Sequence, residues 1–597
     1  MRARLPVAAA ALLLALGVTA GCLGGPDPAR PGRTPDPAPP APAVVTGDLG
    51  PADRAAVRDG GTLRWAVDAV PATLNVHQPA ATPESALLAH ALYPAMFRPD
   101  AHGEWTPDPD YLAAAESTPP GQLPQVVTYH LNPHAVWSDG TPLSAADFIA
   151  QRAALSGLDP ASTAVGPAGY AAVDSIARGV DPHEVKVTFR RPCGEWQALF
   201  GPLYPAAETA TAAAFGRPLP GGTAHPTAGP FLVDGYDPAG GRATLVRNPF
   251  WWGEPAKADR IEFLAVPAER RTEELASGRL DLAPLTTAVE HAGADPAEAL
   301  RRAGTLPGVT LHRAAGAGLV QLTLNAAREP LTDPAVRRAL ARAVDRRHAA
   351  GAALAPFGLL AAPLGHHLLA GDQPGYRDDA DALGGADPGR MLDEAGWRRP
   401  AAGATRTGAG RELALTLLVP AGSATLRRAA EAVVADLGAA GAAVRVTEAP
   451  ADAFVRDHLA AGDYDLALFA WPAGPAPADE QRPVYAKPRP GPDGAPVAGR
   501  NYARAGTEEI DRLFERAAAE PDPPARRALL QEADVRIWQL GHSVPLFQRP
   551  EVLGVRTGVT GAGVRGLGRP RLQDLGWAAE RRTAAGGAAD RGTEVTG

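Results

Sequence analysis

The most informative stretch of this 597-residue chain reads Trp137-Ser138-Asp139-Gly140-Thr141-Pro142-Leu143-Ser144-Ala145-Ala146-Asp147-Phe148. Within it, Ser138-Asp139-Gly140 has the composition of a tight turn, since an Asp side chain bonds nearby backbone and Gly accepts positive φ. Ser144 followed three residues later by Asp147 forms a capping-box pattern, which predicts a helix from Leu143 to Gly157. The turn explains Asp139 and the helix cap explains Asp147, so these two carboxylates do not indicate an acid–base active site.

The segments around this stretch predict a mixture of strands and helices. Alternation of apolar residues with a period of two indicates strands at Gly61–Val67, Gln125–Leu131 and Glu184–Phe189. A second helix is predicted from Asp333 to Arg347, because Asp333 suits the N-cap and Pro334 the first helical position.

The carboxyl-terminal half alternates helices with strands. The predicted elements are a helical stripe from Leu426 to Leu437 closed by Gly438, strands at Val444–Thr447, Tyr464–Trp471 and Val544–Phe547, and helices at Thr507–Ala519 and Pro524–Leu540. This alternation indicates an α/β lobe with a mixed or parallel sheet. Because 597 residues exceed what one hydrophobic core holds, we expect two or three lobes.

The amino terminus has the pattern of an export signal. Arg2 and Arg4 precede an apolar run from Leu5 to Leu16, which is short for a transmembrane span. The following Val18-Thr19-Ala20-Gly21-Cys22 resembles a bacterial lipobox, in which the cysteine is acylated and becomes the new N-terminus. We predict a lipoprotein signal peptide at residues 1–21 and lipidation of Cys22. The alternative is an ordinary secretory signal with an incidental cysteine.

Residues 22–59 are dominated by Pro, Ala and Gly and are predicted to be a semi-stiff tether, since such a segment buries too little apolar area to fold. Residues 578–597 are small and polar, and we expect a disordered tail there. A diacylglyceryl group on Cys22 would anchor the chain durably, because each buried methylene contributes about 0.8 kcal/mol.

The composition excludes some function classes. The formal net charge is −8 and no basic run is present, so the chain is poorly suited to binding nucleic acid. Lys186, Lys257 and Lys487 are the only lysines, and Arg supplies the other cations. With Cys22 lipidated, Cys193 has no cysteine partner within the chain, so cysteine usage does not identify the compartment.

Four stretches together resemble one known family, the bacterial extracellular solute-binding proteins of family 5, which serve peptide, nickel and oligosaccharide ABC importers. The first is residues 137–148, and the second is Thr227–Phe231 followed by Arg247–Gly253. The third is Leu324-Asn325 with residues 333–346, and the fourth is Met391–Trp397. They occur in the order typical of the family and span most of residues 60–577.

A narrower resemblance is to an actinobacterial lipoprotein subgroup linked to synthesis of phosphatidylinositol mannosides and lipoarabinomannan. The residues that carry it are Gly169-Tyr170, Ile176–Gly179, Glu195-Trp196-Gln197-Ala198-Leu199-Phe200, Ala470-Trp471-Pro472 and Pro545–Pro550.

The resemblance implies an α/β fold of the periplasmic-binding-protein-like type II class, with three lobes and a hinged cleft. Lobe I would be discontinuous, comprising residues 60–75, 223–312 and 541–577. Lobe II would be residues 76–222 and lobe III residues 313–540. The ligand would lie between lobes I and III, and crossings of the chain between lobes would act as a hinge.

Five residues are candidates for ligand contact, each with a structural alternative. Trp471 would stack on a sugar ring or apolar chain, or pack in the core. Asn325 and Asn75 would offer amides to the ligand, or serve turns. Gly229 would bring backbone close to the ligand, or form a lobe-crossing turn. Arg549 would meet an anionic group, or form a surface ion pair.

Peptide-binding relatives usually carry an Asp shortly after the Trp that corresponds to Trp471, where it pairs with the ammonium group of the peptide. In this chain Pro472-Ala473-Gly474-Pro475-Ala476-Pro477 follows, and the first acids are Asp479 and Glu480. A free peptide amine therefore loses its most obvious partner.

No catalytic, cofactor or metal motif is convincing. The chain has no G-x-S-x-G elbow, H-E-x-x-H, Walker loop or paired-cysteine zinc spacing. Gly561–Gly566 matches G-x-G-x-x-G but no βαβ unit follows it. His366-His367 has no carboxylate or cysteine cluster beside it in sequence, which favours a loop over a metal site. Cys193 has no evident base nearby in sequence.

These observations predict a binding protein without catalytic residues, cofactor or metal. The first hypothesis is a monomeric, lipid-anchored solute-binding protein that delivers a peptide-like, glycan or glycolipid ligand to an ABC permease and ATPase. The second is an envelope lipoprotein that kept the fold but regulates synthesis of cell-wall glycolipids, namely phosphatidylinositol mannosides and lipoarabinomannan. Both hypotheses place the folded part of the chain outside the cytoplasm, anchored to the cell membrane.

Overall fold

The computed structural model describes residues 47–50, 53–166, 168–219, 225–286, 295–491 and 496–579. The predicted signal peptide and Cys22 lie outside these ranges, as does most of the predicted tail. All described residues belong to one contact unit. Among them, no helix is both long enough and apolar enough to cross a bilayer.

The described residues form 24 strands. In chain order these are β1 (Asp48–Leu49), β2 (Thr62–Val67), β3 (Phe97–Pro99), β4 (Trp105–Pro107), β5 (Leu112–Ser117), β6 (Val126–Leu131), β7 (Val173–Arg178), β8 (Glu184–Phe189), β9 (Phe231–Asp237), β10 (Arg242–Arg247), β11 (Arg260–Ala265), β12 (Leu282–Pro284), β13 (Val309–Leu324), β14 (Thr407–Gly408), β15 (Arg411–Glu412), β16 (Ala414–Pro420), β17 (Ala443–Ala449), β18 (Leu466–Pro472), β19 (Arg489–Pro490), β20 (Pro496–Val497), β21 (Ser543–Arg556), β22 (Val559–Thr560), β23 (Gly563–Val564) and β24 (Gly576–Trp577).

The same residues form 15 α-helices: α1 (Pro83–Leu92), α2 (Ala145–Leu155), α3 (Ala206–Thr209), α4 (Ala212–Phe215), α5 (Ala268–Ala276), α6 (Pro296–Ala303), α7 (Pro334–Ala343), α8 (Arg346–Leu354), α9 (Pro388–Glu394), α10 (Ala424–Ala440), α11 (Ala451–Ala453), α12 (Pro477–Glu480), α13 (Arg482–Tyr485), α14 (Glu508–Ala519) and α15 (Pro523–Leu540). A π-helical turn, Phe454–Leu459, follows α11.

A mixed ten-stranded sheet runs through the molecule in the order β17-β16-β18-β13-β21-β12-β2-β11-β10-β9. β16 is parallel to β17 and β18, and β2 is parallel to β11 and β12. The long strands β13 and β21 are antiparallel and occupy the middle of the sheet. The α/β fold class predicted from the sequence is therefore confirmed.

The pair β13 and β21 joins the two halves of this sheet. The end of β13 pairs with β18 on one side, and the end of β21 pairs with β12 on the other. The register between β13 and β21 shifts between Ala315 and Leu319, so the ladder is interrupted at Gly316-Ala317-Gly318. An interruption in the two strands that span both halves is a natural place for a hinge.

A separate antiparallel sheet of four strands, in the order β5-β6-β8-β7, lies within residues 112–189, inside the range predicted for lobe II. Phe148 of α2 is fully buried beneath this sheet, where its ring contacts Tyr129 and Phe200. Ser144 and Asp147 form the capping box at the start of α2, as the sequence predicts.

The buried apolar side chains of the described residues form several separate hydrophobic clusters. One cluster takes its members chiefly from residues 63–263 and 553–575, so the ranges of lobes I and II share a core. Two other clusters lie in residues 320–547 and 368–537, the range of lobe III with the start of β21. Phe357 is an exception, since it is buried against a cluster otherwise made of lobe I residues. The shared core leads us to expect that lobes I and II move together.

Two predicted boundaries are wrong. The predicted tether ends before residue 59, because β1 pairs with β23 and Val57 forms a bridge with Ala578. That bridge also ties Ala578, the first residue of the predicted tail, to the body. These ladder hydrogen bonds satisfy backbone groups that a solvated tether would leave to water.

The helix predicted from Asp333 to Arg347 is two helices. Asp333 caps α7 and Pro334 is its first residue, as predicted. Val344 then adopts extended backbone, and Asp345 caps α8 by accepting the N–H groups of Arg347 and His348. A second N-cap residue within one apolar stripe therefore starts a new helix.

Candidate functional site

Two recesses flank the central strands, and Arg549 of β21 lines both. The β2 recess has a volume of about 960 Å³. The β16 recess has a volume of about 760 Å³. Both volumes include space open to solvent. They share Arg549, and we refer to the two recesses together as the cleft.

The β2 recess is polar as well as apolar. Its walls come from the carboxyl ends of β2 and β12, the start of α1, the middle of β21 and the segment around β23. Its charged and aromatic lining residues are Trp65, Asp68, Glu84, Arg549, Glu551 and Arg565. Acidic, basic and aromatic groups thus meet in one space.

The β16 recess is mostly apolar. Its apolar lining residues are Val320, Pro420, Leu426, Ala451, Phe454, Val455, Phe469 and Ala470, and its polar ones are Ser423, Thr425 and Arg549. Arg549 is the only ionisable side chain among the described residues that line this recess. Val455 is 49% exposed, so an apolar side chain of this recess faces solvent.

Sheet topology explains why the β16 recess exists. The chain leaves β16 through α10 to β17 on one side, then returns to β18 on the other side of β16. The ladder between β16 and β18 contains only Leu417–Leu466 and Leu418–Ala467, so the strands separate beyond it. A crevice at the carboxyl ends of parallel strands, where connections depart in opposite directions, is the usual ligand position in open α/β sheets.

Arg549 lies at the junction of the two recesses, opposite the interruption in β13. Its guanidinium group is 3.2 Å from Glu551, and the side chains are 22% and 27% exposed. The backbone of Gly318 lies directly beside it, and a Cβ there would be 3.2 Å from the Arg549 Cβ. The predicted candidate Arg549 is thus placed in the cleft, and it also makes the ion pair that was its alternative.

Trp471 lies at the end of β18 and is 8% exposed. Its ring stacks on Tyr502 at 5.3 Å between centroids, and the Arg500 guanidinium group lies 5.1 Å from its centroid. Among the described residues, those that line the β16 recess include Phe469 and Ala470 but not Trp471. These contacts match the core-packing alternative.

Asn325 follows β13 and is fully buried. Its amide donates to the carbonyl oxygens of Gly462 and Tyr464 and accepts the N–H of Ala327. The side chain thus serves backbone groups of the turn, which matches the structural alternative.

Asn75 and Gly229 also occupy turns. Asn75 is 2% exposed and accepts the N–H of His77. Gly229 packs so closely against the end of α1 that a Cβ would lie 2.2 Å from the carbonyl oxygen of Ala91. Only glycine fits where these two backbone segments approach each other. Neither residue is among the described residues that line the two recesses.

The first acids after β18, Asp479 and Glu480, do not line either recess among the described residues. Burial raises the pKa of Glu480 to about 7, although Arg569 lowers it in part. Carboxylates that line the cleft come instead from the other wall, through Asp68, Glu84 and Glu551.

Sequence analysis did not predict a buried polar cluster that the structure shows around His366. The structure places Asp379 and Asp534 beside it, with one potential ligand atom from each of the three within 4.8 Å of the others. His366 and His367 do lie in a loop, as the sequence favours, but carboxylates that the sequence does not place near them lie beside His366. Asp534 comes from α15, more than 150 residues away, and no local sequence signal connects it to His366.

This cluster does not fit a metal ion. His366 Nδ1 accepts the N–H of Leu368 at 3.0 Å, and burial lowers the pKa of the ring. A neutral imidazole in this state carries its proton on Nε2 and has no lone pair left for a metal. His367 faces acceptors with both nitrogens, Asp534 Oδ1 at 2.8 Å and the Ser543 carbonyl oxygen at 3.0 Å.

Cys193 is buried, and burial raises the pKa of its thiol far above the ordinary value. A thiol held neutral is a poor nucleophile. Gly561–Gly566 spans the short strand β23, which pairs antiparallel with β1, and no helix follows it within the described residues up to 579 except a single 3₁₀ turn. The dinucleotide-loop pattern therefore has none of its required context.

The comparisons with known proteins agree on one family. Residues 112–492 match the family model described as bacterial extracellular solute-binding proteins, family 5. The chain is 34% identical over 532 residues to the oligopeptide-binding protein OppA of Mycobacterium tuberculosis, covering 88% of this chain and 86% of that protein. It is 28% identical over 355 residues to the probable monoacyl phosphatidylinositol tetramannoside-binding protein LpqW of the same species, covering 56% and 50% of the two chains.

Solved structures show the same fold. The periplasmic EDTA-binding protein EppA matches with a TM-score of 0.76 and 23% identity, over 90% of this chain and 99% of that one. The oligopeptide-binding protein AppA of Bacillus subtilis, in complex with a nonapeptide, matches with a TM-score of 0.66 and 16% identity, over 88% and 100% of the two chains. All four are named as binding proteins. The chain belongs to the bacterial extracellular solute-binding proteins of family 5.

Proposed function

We propose that this chain is the membrane-anchored, extracytoplasmic solute-binding component of an ABC import system. It captures a peptide-like, glycan or glycolipid ligand in the cleft formed by the β2 recess and the β16 recess. The observation that carries the proposal is the meeting of both recesses at Arg549, on strands that join the two halves of the sheet.

Binding in this cleft is noncovalent and coupled to closure. The ladder interruption at Gly316-Ala317-Gly318 lets the lobe III half rotate about β13 and β21. A ligand that touches both walls binds the closed form more tightly, and only that difference in affinity shifts the population towards closure. An ABC permease and its ATPase would then receive the ligand from the closed form.

The lining supports a ligand with more than one kind of group. Arg549 offers a charged, hydrogen-bonding partner to an anionic group. Asp68, Glu84 and Glu551 offer partners to an ammonium group or to sugar hydroxyls, and Trp65 offers an aromatic face. The name of the OppA relative supports a peptide-like ligand, with its amine on the β2 wall instead of after β18.

A thermal-unfolding panel tests this proposal. Mixed short peptides, oligosaccharides and phosphoinositol mannosides are each titrated against the full chain. A ligand present at 100 times its dissociation constant adds about 2.7 kcal/mol to the free energy of unfolding. We expect a saturable stabilisation from one class that is lost in Arg549→Ala and partly kept in Arg549→Lys. Stabilisation by none of the three classes contradicts the proposal.

A second candidate is an envelope lipoprotein that regulates synthesis of phosphatidylinositol mannosides and lipoarabinomannan without transport. The similarity to LpqW and the absence of an acid directly after Trp471 favour it. Pull-down of the tagged chain from its host distinguishes the two. Recovery of a permease and an ATPase supports import, and recovery of glycolipid-synthesis enzymes without them supports regulation.

The anchor is proposed from the lipobox-like sequence at Cys22. Two acyl chains hold a protein at a membrane durably, whereas one does not. We expect the chain in the membrane fraction of its host and the Cys22→Ala variant in the soluble fraction or the medium. Retention of Cys22→Ala in the membrane contradicts acylation as the anchor.

A further inference from the structure

A turn near the end of the chain, Arg565–Arg569, carries two arginines, and we name it the arginine turn. Lobe II holds its backbone at two points. The N–H of Leu567 donates to the Ala101 carbonyl oxygen at 3.1 Å. The N–H of Arg569 donates to the Pro99 carbonyl oxygen, also at 3.1 Å. Because these bonds join backbone groups, the position of the turn does not depend on its arginine side chains.

The two arginines face neighbouring spaces. Arg565 lines the β2 recess. Arg569 lines a second space between lobes I and II, of about 470 Å³ including volume open to solvent, which we name the inner cavity. Pro570 lines both spaces, so the arginine turn lies at their boundary.

Most other charged groups that line these two spaces are paired. The ion pairs, with nitrogen to oxygen distances of 2.6 to 3.3 Å, are Arg98–Asp108, Arg571–Asp110, Arg549–Glu551 and Arg271–Asp68. Arg565 and Arg569 differ, because neither forms an ion pair with a carboxylate group of the described residues. Arg569 Nη1 donates to the Gly201 carbonyl oxygen at 3.2 Å, which uses only part of the guanidinium group.

One acid, Glu480 of α12, acts on Arg569 from lobe III. Burial lowers the pKa of Arg569 to about 10, the charge of Glu480 raises it in part, and the charge of Arg565 lowers it. The two described side chains of Glu480 and Arg569 do not form an ion pair, and Arg500 also acts on Glu480. One carboxylate near three arginines leaves an excess of positive charge at the arginine turn.

Unpaired cations in a partly desolvated place cost the fold stability, because lost hydration is not offset by an opposite charge. Two of them on one turn also repel each other. Groups that are kept at a cost to stability are typical of binding sites. The planar guanidinium group presents its donors in the geometry of a carboxylate or phosphate, so an oxyanion would offset this cost.

We propose that Arg565 and Arg569 form an anion subsite, which binds a carboxylate or phosphate group of the solute. The inference rests on the proposed capture of a solute in the cleft, and it names one chemical group that this solute carries. Arg565 contacts the group from the β2 recess and Arg569 contacts it from the inner cavity. The subsite is separate from Arg549, whose guanidinium group pairs with Glu551.

Thermal unfolding of the full chain with inorganic phosphate or sodium acetate tests the subsite, with chloride at equal ionic strength as the reference. Phosphate also stabilises folded proteins because it is excluded from their surfaces, so the readout is the saturable response that differs between variants. The test variants are Arg565→Gln and Arg569→Gln. Arg178→Gln, which changes an exposed arginine on β7, is the matched control.

We expect saturable stabilisation by at least one of the two anions in the unmodified chain and in Arg178→Gln. Arg565→Gln and Arg569→Gln should each weaken the apparent affinity about tenfold, since each loses a hydrogen bond between charged groups. Arg569→Lys should keep part of the response, because it keeps the charge but not the planar fork. A response to acetate identifies a carboxylate as sufficient, and a response to phosphate alone identifies a phosphate group.

Urea unfolding without either anion separates binding from a structural role. Removal of an uncompensated cation relieves its cost, so Arg569→Gln should unfold at the same or a higher urea concentration than the unmodified chain. A clearly lower midpoint would assign Arg569 to the fold and overturn the two-arginine subsite. No saturable response to either anion, or an unchanged response in both test variants, would also overturn it. Because free anions are the probes, this result is independent of the solute panel, whose failure contradicts the proposed function instead.

Discussion

The two recesses of the cleft are built alike and lined differently. Each lies at the carboxyl ends of parallel strands, and each takes Arg549 from β21. The β2 recess adds Asp68, Glu84 and Glu551, whereas the described residues that line the β16 recess include no carboxylate. A cleft with one mixed-charge wall and one apolar wall is suited to a ligand whose two parts differ in the same way.

The positions of the helices reinforce this difference. The β16 recess includes Ser423 and Thr425, the N-cap and second residue of the 17-residue helix α10. The partial positive charge at a helix N-terminus disfavours a cation there. The positive charge of Arg549 also disfavours a cation. The β16 recess should therefore disfavour cationic groups, whereas the carboxylates of the β2 recess favour them.

The largest expected effect comes from the residue that the recesses share. Arg549→Ala removes a charged partner from both walls, and truncating one member of a partly desolvated pair costs roughly 2–5 kcal/mol of binding, at least about 30-fold in affinity. Isothermal titration with the compound that stabilises the chain in the thermal panel measures it. Affinity within threefold of the unmodified chain would show that the ligand lies elsewhere.

Val455→Asp tests the apolar wall alone. A carboxylate placed in the β16 recess must lose water when the ligand enters, which costs about 1–3 kcal/mol, roughly a tenfold loss of affinity. Val180→Asp, at an exposed position in lobe II, is the matched control and should bind normally. Equal affinities for the two variants would mean that the ligand does not occupy the β16 recess.

Asp68→Asn tests the charged wall and separates binding from stability. Asp68 Oδ1 accepts a 2.6 Å hydrogen bond from Arg271, whose side chain is almost completely buried. Asp68→Asn removes the negative charge beside the buried Arg271 guanidinium group. The positive charge then lacks its partner, which lowers the free energy of unfolding by about 1–3 kcal/mol. Urea denaturation measures this loss. A cationic ligand should lose roughly fivefold in affinity and a neutral one much less.

The smallest effect is expected for Glu551→Gln, which weakens the ion pair that holds Arg549 at 3.2 Å. Partly exposed pairs contribute about 0.5 kcal/mol, so affinity should change about twofold. A change above tenfold, measured by the same titration, would show that Glu551 contacts the ligand itself.

Local chemistry made much of the fold predictable. Ser144 and Asp147 fix the start of α2 through hydrogen bonds within a few residues. Asp333 fixes the start of α7 by accepting the N–H of Ala335, and Pro334 supplies a backbone angle that suits the first helical position. The break at Val344 was missed because an apolar stripe hides a second N-cap in its middle. The pairing of β1 with β23 was missed because it joins residues about 500 positions apart.

The site was less predictable than the fold, because topology builds it. An Arg at the end of an apolar strand predicts Arg549 as a candidate, and Arg549 does line the cleft. Phe454 and Val455 lie in a π-helical turn, and only the separation of β16 from β18 makes them cleft residues. The sequence also offers Trp471 and Asn325 as candidates for ligand contact, but Trp471 packs on Tyr502 and Asn325 bonds to Tyr464, neighbours that lie far from them in the sequence.

Native mass spectrometry of the full chain purified from its host is the sharpest test of capture in the cleft. We predict that the chain carries a noncovalent solute of defined mass, that Val180→Asp carries the same solute and that Arg549→Ala carries none. A bare polypeptide in all three samples, or a solute that persists in Arg549→Ala, would contradict capture between the two recesses.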